Sequence, residues 1–175
     1  MPESQQPIDG TAVIKAAVAG LEMVLDVGAG PGKWGRELAG VVRFIDALEA
    51  WPATAEELKR SGLYHEVICL DLREFDGWDS YPAVILGDVL EHLPRADAVK
   101  FIERLKKSTC RVFLTVPVSR CVQCGVPFGN PFETHLDQWY HYDLFLAGWR
   151  LLHVGANESG SVIIGSYELA RGVAS

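Results

Sequence analysis

Leu25-Asp26-Val27-Gly28-Ala29-Gly30-Pro31-Gly32-Lys33-Trp34-Gly35 joins an apolar run to a glycine-rich turn, and the fold follows from which nucleotide site that turn builds. A phosphate-binding P-loop needs G-x-x-x-x-G-K-[ST]. Counting back from Gly32-Lys33 puts Val27 where the first glycine belongs, and Trp34 stands in place of the magnesium-binding hydroxyl. A dinucleotide fingerprint, G-x-G-x-x-G, is formally present from Gly30 to Gly35. It should begin where the strand ends, yet the turn starts at Gly28, and Pro31 separates the two glycines that must approach a pyrophosphate. A third reading uses every residue: a strand, then Asp26-x-Gly28-x-Gly30-x-Gly32, then a helix. Alternate glycines let the backbone pass close to a ligand. A carboxylate at the strand tip repels a pyrophosphate and suits a cation.

The chain around this turn has 175 residues, 49% hydrophobic and 22% charged, which is enough to bury the core of one globular domain spanning 1–175. The first eight residues are polar and too short for a signal segment, and no apolar run approaches the roughly 18 to 20 residues of a membrane span. A cytoplasmic protein is expected. The formal net charge of -7 works against a polynucleotide partner, whose affinity comes largely from Lys and Arg displacing counterions.

Of four cysteines, Cys69 and Cys110 lie in or beside apolar runs and read as small core residues. Cys121 and Cys124 form a CxxC in a Gly/Pro-containing stretch. With no second CxxC or HxxxH to complete four zinc ligands, they read as two reduced loop thiols.

Outward from the turn, short apolar runs alternate with helical stretches, the pattern of a parallel sheet covered on both faces. Seven strands are predicted: Met23 to Val27, Val42 to Leu48, Glu66 to Leu70, Ala83 to Leu86, Arg111 to Val116, Trp149 to Val154 and Ser161 to Leu169. Thr54-Ala55-Glu56-Glu57 reads as a capping box that opens a helix closed by Gly62. Ala98, Phe101, Ile102 and Leu105 recur at helical spacing after Pro94, opposite a basic face of Lys100, Arg104, Lys106 and Lys107 that reads as solvated surface. Ser119 to Trp139 is a long irregular segment, and loops of that length in a compact domain are commonly lids or binding loops.

The glycine turn resembles motif I of the class I (Rossmann-like) S-adenosylmethionine-dependent methyltransferases, and the resemblance continues along almost the whole chain. Glu49, 21 residues after Gly28 at the end of the second predicted strand, matches the family's ribose-binding acid; Asp46 is the competing choice but falls mid-strand. Asp71-Leu72 after the third strand is similar to the family's adenine contact, where a carboxylate accepts from the exocyclic amine. Leu86-Gly87-Asp88-Val89-Leu90-Glu91-His92-Leu93-Pro94 resembles the "D-x-L-E-H-L" form of the segment that flanks the methionine part of the cofactor and faces the acceptor. Thr115-Val116-Pro117 likewise fits the end of the fifth strand.

The resemblance implies an α/β three-layer sandwich with a seven-stranded, mostly parallel Rossmann-like sheet and an antiparallel last strand. It implies S-adenosyl-L-methionine as cofactor, bound by Asp26, Gly28, Ala29, Gly30, Gly32, Glu49, Asp71, Leu72 and Asp88. Methyl transfer is an in-line displacement, so the protein chiefly aligns the reactants and, where needed, supplies a base. His92 and His135 are the candidates for that base, since histidine titrates nearest neutral pH. Asp88, Glu91, His92 and the distant His135 also form a chemically adequate set of oxygen and imidazole ligands, though no metal is assigned.

Only about 20 residues precede the first predicted strand and no large insertion follows, so a large substrate-binding cap is not expected and the acceptor is expected to meet the 119–139 segment. Its aromatic residues, Phe128, Phe132, Trp139 and Tyr140, either enclose an apolar or planar molecule or pack the loop. The expected activity is methylation of a small-molecule acceptor at oxygen or nitrogen, with an oligomer allowed. The alternatives are a non-catalytic methyltransferase-like subunit that binds the cofactor, and an NAD(P)-dependent oxidoreductase.

Overall fold

The computed structural model describes residues 10–119, 129–157 and 162–170. Its seven strands are β1 (Met23–Val27), β2 (Phe44–Glu49), β3 (Glu66–Cys69), β4 (Ala83–Gly87), β5 (Arg111–Pro117), β6 (Trp149–Ala156) and β7 (Ile163–Leu169). They form one sheet in the order β3-β2-β1-β4-β5-β7-β6. β3 through β5 pair in parallel, and β7 runs antiparallel between β5 and β6. This is the expected Rossmann-like sheet with an antiparallel final strand.

Alternation along each central strand distributes side chains to two cores, because successive residues of a strand face opposite ways. Val24, Ile85 and Phe113 point to one face, where they pack with Ile14 and Val18 of α1 (Thr11–Val18) and Trp34 of α2 (Lys33–Glu37). Leu25, Val84, Val112 and Leu114 point to the other, against α4 (Arg95–Lys107) and α5 (His141–Leu146). The predicted stripe of α4 is the buried one: Ala98, Phe101, Ile102 and Leu105 are all at most 2% exposed. Each large side chain so buried contributes about 1.5–3 kcal/mol.

Three local expectations change. The helix α3 (Pro52–Ser61) starts two residues before Thr54, with Trp51 as N-cap and no side-chain cap. Pro52 at the first helical position fixes the backbone and needs no amide partner, so Thr54 lies inside the first turn and the predicted capping box does not form; Gly62 closes the helix as expected, at φ 68°. The second strand begins at Phe44, after a turn through Val41 and Val42 back to Leu38. Cys69 is exposed, since β3 is an edge strand, whereas Cys110 is buried as expected. Cys121, Cys124 and Phe128 lie outside the described residues. Among the described residues, no helix is long and apolar enough to cross a membrane.

Candidate functional site

β1 and β4 lie side by side at the middle of the sheet, and their carboxyl ends open into a cavity of about 430 Å³. That is the edge of an open α/β sheet where ligands bind, and the volume lies in the range of small-molecule pockets. The glycine turn forms one wall. Gly28, Gly30 and Gly32 all have positive φ, at 66°, 50° and 81°, so the backbone zigzags without Cβ atoms to obstruct it. At Gly28 the constraint is steric as well, because a Cβ there would lie 2.8 Å from Val89 Cγ2.

Gly28, Ala29, Gly30, Glu49, Asp71, Leu72 and Asp88 line this cavity, as do His92 and His135. Glu49 is 5% exposed and accepts hydrogen bonds from Gly30 N at 3.0 Å and Trp51 N at 2.8 Å, which ties the tip of β2 to the turn. Burial raises its pKa, partly offset by those amides. Asp71 is held by Arg73, through Nη2 at 2.6 Å and Nε at 3.0 Å, and this pairing lowers its pKa. Asp46, the competing ribose candidate, is occupied inside the sheet: it accepts from Tyr81 Oη at 2.9 Å and Glu66 N at 3.0 Å.

Asp26 and Gly32 do not line the cavity wall. Asp26 sits beneath the turn, 1% exposed, and accepts from Tyr64 Oη at 2.6 Å; that hydroxyl in turn accepts from Gly35 N at the start of α2. Its second oxygen has no partner among the described residues, and burial pushes its pKa up to about 7. Sequence alone carried no signal for Tyr64, which lies 38 positions away in the linker before β3.

At the other end of the cavity the 3-10 turn Leu90–His92 grips the segment after β5. Glu91 O accepts from Leu136 N at 2.8 Å and Asp137 N at 3.1 Å, and Trp139 Nε1 donates to Leu90 O. These bonds bring His135 to His92, with ring centroids 4.9 Å apart in an edge-to-face arrangement. Thr134 O lies 3.2 Å from His92 Nδ1, and burial lowers the His92 pKa, so its imidazole is neutral at pH 7. Trp139 is a core residue at 1% exposure, covered by the Arg95 guanidinium at 3.9 Å from the ring centre, and Tyr140 is the N-cap of α5. Of the four aromatic residues singled out, Phe132 lines the cavity, beside Glu133.

Glu91 is 3% exposed, and neither carboxylate oxygen has a hydrogen-bond partner among the described residues. Desolvation first, then the charge of Asp88, hold its pKa well above the ordinary glutamate value. Glu91, His92 and His135 each present a ligand atom within 4.8 Å of the others, a donor set that suits a divalent cation. Asp88, at φ 55°, is the one non-glycine residue with positive φ among those described, which concentrates backbone strain at this edge. Among the described residues the charged lining of the whole cavity is Glu49, Asp71, Asp88, Glu91 and Glu133 against Lys33 alone, besides the two histidines. Glu133 is the acid that the sequence did not announce. Asn130 Oδ1 accepts from Phe132 N, and the short turn Pro131–Glu133 that this bond caps delivers Glu133 to the cavity.

Residues 24–110 match the family model described as a methyltransferase domain. No curated protein matches the chain by sequence. In fold it is similar to magnesium protoporphyrin IX methyltransferase from Synechocystis PCC 6803 with bound SAH, at 21% identity and TM-score 0.67, covering 93% of this chain and 82% of that one. A similar likeness, with TM-score 0.67 at 14% identity, holds for the 1,6-didemethyltoxoflavin-N1-methyltransferase of Burkholderia thailandensis, over 92% of this chain and 76% of that one. The N-methyltransferase NodS of Bradyrhizobium japonicum WM9 matches with TM-score 0.63 at 9% identity, over 92% of this chain and 93% of that one. At such identities these three likenesses concern the fold.

Proposed function

We propose that this chain, whose residues 24–110 match a methyltransferase-domain model and whose motifs resemble those of the class I (Rossmann-like) S-adenosylmethionine-dependent methyltransferases, moves a methyl group from S-adenosyl-L-methionine to an oxygen or nitrogen of a small-molecule acceptor. The observation that carries the cofactor reading is the charge of the cavity: among the described residues, five carboxylates and one lysine line it. Such a wall repels the diphosphate of a dinucleotide and favours a ligand carrying a sulfonium and an ammonium. An NAD(P)-dependent oxidoreductase is disfavoured on the same ground.

The residues fit this cofactor. Glu49 has its oxygens oriented by Gly30 N and Trp51 N, and their remaining lone pairs would accept from the ribose hydroxyls. Asp71 and Leu72 would hold the adenine, the turn Gly28 to Gly30 would let the chain pass close to the cofactor, and Asp88 would flank its methionine part. Asp26 and Gly32 support the turn from behind. Bound S-adenosylmethionine supplies a methyl carbon activated by a sulfonium cation, so the protein's task is alignment. His92, neutral at pH 7, and His135 stand where they can take a proton from the acceptor.

The test is thermal shift and calorimetry with S-adenosylhomocysteine and NAD. Stabilisation by S-adenosylhomocysteine and none by NAD is expected, because a ligand that binds only the folded state raises Tm by mass action. Equal shifts from both refute the reading. Cofactor binding with no S-adenosylhomocysteine release across an acceptor screen would instead support a non-catalytic subunit.

A further inference from the structure

Resting on the methyltransferase reading, we propose that the acceptor is an organic amine, entering as its ammonium ion and held among Asp88, Glu91 and Glu133 beside His92 and His135. The cavity has two ends with different demands. At the glycine-turn end, Glu49 is engaged by two backbone amides and Asp71 by Arg73. At the other end Asp88, Glu91 and Glu133 share the lining, and the one lysine among the described lining residues, Lys33, opens α2 directly after the glycine turn. After the larger effect of burial, Asp88 and Glu133 both act on Glu91 by like-charge repulsion, and Glu133 acts on Glu49 in the same way.

Crowded carboxylates of this kind are unfavourable alone and become favourable around a cation. Glu91 supplies a second, independent observation. It is 3% exposed, it lines the cavity, and both its oxygens lack hydrogen-bond partners among the described residues. Buried polar groups without partners are rare in folded proteins, and here the missing partner is a donor. An ammonium supplies three N–H donors and the positive charge together, whereas an alcohol supplies one donor and a carboxylate or phosphate none.

The imidazoles complete the chemistry. A protonated amine has no lone pair with which to attack, so it must first lose a proton, and neutral His92 or its neighbour His135 accepts it. The amine lone pair then forms the N–C bond to the methyl carbon as the C–S bond breaks, its electron pair remaining on sulfur. The positive charge passes from sulfur to the methylated nitrogen, where the same carboxylates remain its counter-charges. Anionic acceptors are excluded by the same field.

The full-length protein, saturated with S-adenosylhomocysteine and in the presence of a chelator, is titrated at pH 7 with three probes of similar shape: phenethylammonium, 2-phenylethanol and 3-phenylpropionate. Binding is read by calorimetry or ligand-observed NMR. Phenethylammonium is expected to bind about 10-fold or more tighter than the alcohol, the scale of a charge-assisted hydrogen bond, with no saturable binding of the carboxylate. Glu133→Gln, at the rim, should shrink that preference severalfold.

Equal or tighter binding of the alcohol or the carboxylate overturns the proposal, as does the absence of saturable ammonium binding while S-adenosylhomocysteine binds. A cation preference seen only without chelator would assign the charge to a divalent metal at Glu91, His92 and His135, and would also overturn it. Failure of S-adenosylhomocysteine itself to bind would defeat the methyltransferase reading instead, so the two failures are distinguishable.

Discussion

Replacing Asp26 by Asn should abolish a specific slope in the pH dependence of stability. The Asp26 carboxyl is 1% exposed, its Oδ2 accepts from Tyr64 and its Oδ1 has no partner among the described residues, so the charged form is poorly compensated. Desolvation moves its pKa from 3.8 to about 7. The folded state therefore retains a proton between those values while the unfolded chain has already lost it. Stability then falls as pH rises through that window and is flat above it. At about 1.4 kcal/mol per pH unit, the interval corresponds to about 4 kcal/mol, which relaxation around the buried carboxylate reduces to about 2–4 kcal/mol.

Asn retains an oxygen that can accept from Tyr64 and never ionises. Between pH 5 and 8 about two of those pH units are covered, so the variant should gain on the wild type by about 1–3 kcal/mol, or roughly 3–12 °C in Tm for a domain of this size. Urea denaturation from pH 5 to 8 measures the slope directly. A Tm difference of the same size at both pH values would refute the reasoning, since it would reflect packing instead of ionisation. Ligand binding sharpens the test: a cationic cofactor above the turn favours the ionised carboxylate, so Asp26→Asn should weaken S-adenosylhomocysteine binding less than S-adenosylmethionine binding at pH 8.

Glu49→Ala should weaken S-adenosylhomocysteine binding by about 1.5–3 kcal/mol in calorimetry, the scale of a hydrogen bond to a charged acceptor; an unchanged Kd would remove the ribose contact from this residue. Gly28→Ala forces a Cβ to 2.8 Å from Val89 at φ 66°, and a loss of about 1–3 kcal/mol in chemical denaturation is expected, with Val89→Ala restoring only the steric part. Once an acceptor is identified, His92→Ala or His135→Ala should lower turnover by roughly 10²- to 10⁴-fold with S-adenosylmethionine affinity retained, as expected of a base that acts in the transition state. Because burial lowers the His92 pKa, activity that depends on its neutral form should persist at a pH below the ordinary histidine value.

What the sequence made legible was local or ordered along the chain. The glycine turn, the acid at the end of β2 and the D-x-L-E-H-L segment each lie within a few residues of a strand end, and a parallel sheet aligns strand ends by construction. The stripe of α4 was readable for a similar reason, since helical period alone sets which side chains face the sheet. Contacts that depend on distant partners were not readable. Asp26 matches a ligand-binding motif, but whether its side chain faces a ligand or Tyr64 depends on how the linker before β3 folds back. Trp139 reads equally as a loop aromatic or a core residue, and the grip of Leu90 and Arg95 decides for the core. Glu133 is one surface-type acid among many until the Asn130 cap turns it inward.

The position of β7 has a consequence for biosynthesis. It fills the gap between β5 and β6, pairing Phe113–Pro117 with Ile164–Glu168. A ribosome makes β6 before the strand that joins it to the rest of the sheet. Until Ile163–Leu169 has emerged, the edge of β5 presents unpaired amides and carbonyls, and the strand on which the Thr115–Asp88 contact depends is paired on the β4 side alone. Such an edge is a template for pairing with another chain. A nascent chain stalled just before Ile163 should therefore be a substrate for chaperones and a source of aggregates, whereas a short extension beyond β7 releases the hairpin to dock and close the sheet.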